Sequence, residues 1–120
     1  MGDMTPATFR SVLEATGYGD DTDAARALSK SRSMVQKMKA GQAPISPDVA
    51  DAVRGIQDAY ADARDAALAA APAELRVWRG GPADNDASWQ ETGRPARWHR
   101  IIAAECYQEH GTRILWVEEP

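Results

Sequence analysis

The chain has 120 residues, a formal net charge of −4 and an apolar fraction of 43%. That length holds one domain or two small lobes; no apolar run reaches the roughly 18 residues of a membrane span, and the lone Cys106 excludes an internal disulfide or a multi-cysteine metal site. The start lacks the basic-then-apolar layout of a secretory signal, so a cytoplasmic protein is expected, and the acidic sum by itself argues against a simple polycation that coats nucleic acid.

Residues 1 to 3 read as a flexible start. Helix 1 is expected from Thr5, a good cap, with Pro6 at the first position, where a missing N–H costs nothing. Phe9, Val12, Leu13 and Thr16 share one face, and Gly17 and Gly19 end it. Asp20 to Asp23 open a short helix 2, their charge suiting the positive end of its dipole. Ala24, Ala25 and Leu28 give that helix a small apolar face. Ser29 to Ser31 form a turn. Ser31 caps helix 3, which runs to Ala40 and stops at Gly41. Val35 and Met38 face inward, leaving Arg32, Ser33, Gln36, Lys37 and Lys39 outside.

Ser46 and Pro47 start a long helix 4, reaching about Ala70 before Pro72. Its inward set, Val49, Val53, Ile56, Tyr60, Ala63 and Ala67, repeats at alternating gaps of four and three, a seam suited to helix packing within or between chains. Leu75 to Arg79 alternate apolar and basic and read as a strand. Gly80 to Asp86 read as a loop, with Trp89 in an ambiguous stretch. A further helix spans Ala96 to His110 with Gly111 as its stop, and Thr112 to Val117 form a second strand that pairs with the first. The expected fold is mainly α with a small α+β C-terminal lobe. A helix-turn-helix bundle and long fourth helix occupy residues 4–71, and a strand-helix-strand lobe occupies 72–120.

The charge is unevenly placed. Residues 1–46 carry six bases and five acids, residues 47–74 two and six, and residues 75–120 six and seven. All three lysines, Lys30, Lys37 and Lys39, fall with Arg32 in one short window, and from Ala24 to Ile45 every charge is positive. A basic patch inside an acidic body is the footprint of nucleic-acid contact; a solvated basic helix face is the plainer reading.

The run Ser31-Arg32-Ser33-Met34-Val35-Gln36-Lys37-Met38-Lys39-Ala40-Gly41, followed by Pro44-Ile45-Ser46-Pro47, resembles the recognition segment of phage-repressor-like helix-turn-helix domains of the Xre and Cro/C1 type. The capping Ser, the aliphatic anchor four positions on, the closing Gly and the Pro-rich entry to the next helix all match, and Ala25 and Leu28 stand at the family's helix 2 packing positions. The resemblance covers roughly residues 4 to 60. Five positions depart from the pattern. Ser29 replaces the turn Gly, Lys30 replaces a small apolar residue and Met38 stands where Trp is common. Asp20 and Asp21 replace Thr and Gln, which sets helix 2 against a phosphate. In layout and length the whole chain is similar to small dimeric anti-CRISPR-associated repressors of phages and bacteria. That resemblance implies a homodimeric transcriptional repressor that reads an inverted repeat in double-stranded DNA and controls its own phage or anti-CRISPR operon.

On this reading Gln36 reads a base, since a helix-borne amide makes paired hydrogen bonds to adenine. Arg32, Lys37 and Ser33 reach bases or phosphate, while Lys30, Lys39 and Gln42 position the protein on phosphates. Trp78, Trp98, Ile101, Ile102, Ile114 and Trp116 are assigned to a dimer interface in the C-terminal lobe. The four tryptophans offer stacking platforms for single strands as an alternative, with core and interface preferred. His99, Cys106, Glu109 and His110 are too few and too scattered for zinc or nucleophilic catalysis, so no metal, cofactor or enzymatic activity is expected. The rival reading is an antitoxin or other interaction module whose C-terminal lobe grips a partner protein. RNA binding through the basic face is a third.

Overall fold

A computed structural model describes residues 4–119, so the expected flexible start lies outside the described residues. The order of elements is α1 (Pro6–Ala15), α2 (Asp21–Leu28), α3 (Arg32–Lys39), α4 (Pro47–Ala70), β1 (Glu74–Val77), α5 (Pro82–Thr92), α6 (Ala96–His110) and β2 (Arg113–Trp116). The protein is mainly helical with a small two-stranded parallel sheet in its C-terminal part. No helix among the described residues is long and apolar enough to cross a membrane.

Two compact units divide the chain, Met1–Ala59 and Tyr60–Pro120. The boundary therefore falls inside α4 rather than at Pro72. The reason is visible in the α4 seam: Val49, Val53 and Ile56 belong to the first unit, whereas Tyr60 packs edge-on against Trp98 of the second, with ring centroids 5.2 Å apart.

The first unit is built from capped short helices. Thr5 accepts the Thr8 N–H at 3.1 Å, Asp20 accepts those of Thr22 and Asp23, Ser31 accepts that of Met34 at 3.0 Å, and Ser46 accepts that of Val49 at 3.3 Å. Each cap satisfies a donor that the first helical turn leaves open, worth about 0.5–2 kcal/mol. Phe9, Leu13, Tyr18, Ala24, Leu28, Val35, Met38, Val49 and Val53 are buried together at its centre. Burying each large apolar side chain contributes roughly 1.5–3 kcal/mol, which is how helices of eight to ten residues, too short to persist alone, stay formed.

In the second unit β1 and β2 run parallel, pairing Glu74 with Arg113 and Val77 with Trp116. A parallel pair needs a crossover, and here the crossover contains two helices. The strand-helix-strand expectation is thus corrected to strand-helix-helix-strand: Pro82 to Thr92, read as loop and ambiguous stretch, is α5. Its sequence has little helical periodicity, and its start, Gly81, gives no side-chain cap. It is fixed through later residues instead. Ser88 donates to Arg94 O at 2.7 Å, and Asn85 Oδ1 accepts the Ala96 N–H at 2.9 Å. The core holds Tyr60, Val77, Trp98, Ile102, Ala103 and Cys106. Burial and then the neighbouring Glu105 carboxylate, which accepts the Tyr60 hydroxyl at 3.1 Å, push that phenol up to about 12.

Candidate nucleic-acid interface

Helices α2 and α3 pack on each other, and α3 also packs on α1. The turn between α2 and α3 depends on Ser29, which adopts the left-handed conformation at φ 55°. That is the position where the resembled domains carry glycine, and a side chain there costs roughly 1–2 kcal/mol. The turn then delivers Lys30 and the Ser31 cap to the surface. Val35 is fully buried and Met38 nearly so, so the inner edge of α3 is anchored at two points. Lys30, Arg32, Ser33, Gln36, Lys37 and, beyond the helix, Gln42 are all exposed. These exposed positions form a series that runs from the turn, along α3, to the loop after Gly41.

One member leaves it. Lys39, expected to reach phosphate, is folded back: its ammonium donates to Gly19 O at 2.9 Å and to Asp21 Oδ1 at 2.6 Å, and only 12% of its side chain is exposed. The end of α3 lies beside the start of α2, where an acidic residue and a free carbonyl meet the cation. Three cations, Lys30, Arg32 and Lys37, remain for a partner. The Lys39 hydrogen bond draws the Asp21 carboxyl below its usual range; burial opposes this, while a hydrogen bond from Gln36 and the charge of Arg32 add to it. Asp21 is thus held ionised but locally compensated, which lessens the repulsion expected between the start of α2 and a phosphate.

Met34, which the sequence reading left without a role, is 38% exposed on α3. An apolar side chain on an otherwise polar helix face suits a thymine methyl group. Its signal was available: it falls outside the Val35 and Met38 stripe.

The residues assigned to the dimer interface separate into two groups. Trp98 and Ile102 are buried inside the second unit, at 3% and 8% exposure, so they are core side chains and not surface ones. Trp78, Ile101 and Trp116 are half-buried, and Ile114 is 38% exposed. Trp78 leans on His99 with ring centroids 5.5 Å apart, and the Arg79 guanidinium lies 5.0 Å from the centre of Trp116 while pairing with Glu118. Val117, also exposed, extends the apolar surface of β2. Among the described residues His99, Cys106 and His110 do not gather into a group. His99 meets Thr92 Oγ1, His110 meets Leu68 O and Cys106 is buried.

No family model matches the chain, and no curated protein matches it in sequence.

Proposed function

We propose that this protein is a sequence-specific DNA-binding repressor that acts as a homodimer on an inverted repeat. The single observation that carries the reading is the outer face of α3. It presents Arg32, Ser33, Met34, Gln36 and Lys37 to solvent while Val35 and Met38 hold the helix to its unit. That is the arrangement a major-groove helix requires: base-reading groups outward, an immobile backbone behind them, and the capped N-terminus leading. Arg32 suits guanine, Gln36 adenine and Met34 thymine methyl, so the face has chemistry for more than charge alone. Lys30, Lys37 and Gln42 flank it as phosphate contacts.

The homodimer supplies the second half-site, with Trp78, Ile101, Ile114 and Trp116 as its surface. Two recognition helices then sit roughly 34 Å apart, one turn of duplex. Control of its own operon is what the family resemblance adds. The test is selection from a random duplex pool at physiological salt, followed by footprinting. Enrichment of an inverted repeat with half-sites one helical turn apart supports the proposal; a pool that stays unselected refutes it.

A further inference from the structure

A cavity of about 310 Å³ opens in the second unit, lined by Val77, Arg100, Ile114, Leu115, Trp116 and Glu119. Four of its six walls are apolar, and its volume lies at the small end of the roughly 300–1,000 Å³ typical of ligand pockets. Arg100 is the exception that gives it direction. This arginine is half-buried, and its one hydrogen bond among the described residues goes to a neutral acceptor, Trp78 O, at 2.9 Å. No carboxylate among the described residues pairs with it. Glu119, the acid that also lines the cavity, is bonded to the backbone and not to Arg100: its carboxylate accepts the Trp116 N–H at 3.0 Å. Burial, and then the nearby charge of Arg97, lower the basicity of Arg100. A guanidinium offers five N–H donors in a fork that matches a carboxylate, and four are left over.

We infer that this cavity binds a small apolar carboxylate, an aromatic or branched-chain acid whose anionic group pairs with Arg100 and whose hydrocarbon part lies among Val77, Ile114, Leu115 and Trp116. The inference stands independently of the DNA reading, because every group it uses lies in the second unit. In a repressor such a site would receive an effector. Two of its walls, Ile114 and Trp116, also belong to the surface assigned to the dimer, so occupancy would be felt there.

Phenylacetate and isovalerate serve as probes, with phenylacetamide as the uncharged isostere. The readout is the change in the Arg100 side-chain and Trp116 indole N–H resonances on titration of the full chain. Saturable shifts with at least one of the two acids are expected, with the amide about tenfold weaker for want of the charge-assisted pair. Arg100→Met should abolish the shifts. Ile114→Trp, which enlarges a side chain lining the cavity and leaves Arg100 in place, should abolish them too and decides the matter if Arg100→Met fails to fold. No saturable shift with either acid, equal binding of acid and amide, or undiminished binding by the folded Ile114→Trp variant would overturn the inference.

Discussion

Replacing Lys39 by Met should destabilise the first unit and leave DNA contact largely intact. The ammonium makes two hydrogen bonds, at 2.9 Å to Gly19 O and 2.6 Å to Asp21 Oδ1. A hydrogen bond involving a charged group contributes about 1.5–3 kcal/mol. Asp21 remains 26% exposed, so water recovers part of the loss when the cation is removed. The expected cost is about 2–3 kcal/mol, above the 0–1 of a surface pair and below the 3–5 of a broken buried one. For a domain of this size that is a fall of roughly 10–20 °C in melting temperature. The loss has a pH signature. The folded Asp21 carboxyl sits below its ordinary 3.8, so its contribution is present above that pH and disappears as pH falls through the folded value. The gap between wild type and Lys39→Met should therefore narrow in acid to the share held by the Gly19 O hydrogen bond, which does not titrate. All four tryptophans lie in the second unit, so the assay must be far-UV circular dichroism with amide exchange at Val35 and Ala24. Equal melting of the two proteins at neutral pH, or a difference that does not narrow in acid, would refute the assigned ion pair.

Ser29→Gly and Ala71→Gly should each raise stability by about 0.5–1 kcal/mol in urea titrations, because both residues hold positive φ, at 55° and 45°; a loss at either would contradict that backbone. Trp98→Ala should cost about 3–5 kcal/mol by opening the core of the second unit, read as early loss of tryptophan fluorescence in denaturant; a variant as stable as wild type that merely dissociates would return Trp98 to an interface. The second unit should weaken as pH falls below about 6.5. Burial and then the Arg94 charge depress the folded His99 below that value, so the unfolded chain takes up the proton first. His99→Asn should flatten the profile, as chemical denaturation between neutral and mildly acid pH would register.

The first four helices were legible because their signals are local. Thr5 with Pro6, Asp20, Ser31, and Ser46 with Pro47 each mark a start by side-chain chemistry within three residues of the bond they make. α5 was not legible. Pro82-Ala83-Asp84-Asn85-Asp86 has the composition of a turn, and the groups that fix it, Arg94 O and the Ala96 N–H, come later in the chain. The unit boundary was hidden for a different reason: the α4 seam runs unbroken through Ile56 and Tyr60, and only the partner of Tyr60 reveals the change. Of the candidate face, the outward set on α3 could be read from the Val35 and Met38 stripe. The fate of Lys39 could not, since its partners lie 18 and 20 residues upstream and meet it only when α2 and α3 pack. Likewise four tryptophans in one lobe announce an aromatic core without saying that Trp98, with Tyr60 on its edge, occupies its centre. That Arg100 meets a carbonyl and no carboxylate among the described residues depends on tertiary surroundings, which no linear pattern records.

The outer face of α3 is proposed to bind DNA. The most direct measurement is the equilibrium affinity of the selected duplex for wild type and for the Arg32→Ala/Gln36→Ala/Lys37→Ala variant across a salt series. Each base-reading side chain removed should cost about 1–3 kcal/mol. With Lys39 withdrawn, three cations per protomer remain, so the wild-type dependence of log affinity on log salt for a dimer should be no steeper than about −5 to −6, and the variant should be shallower. An unchanged affinity and an unchanged slope in the folded triple variant would contradict the account.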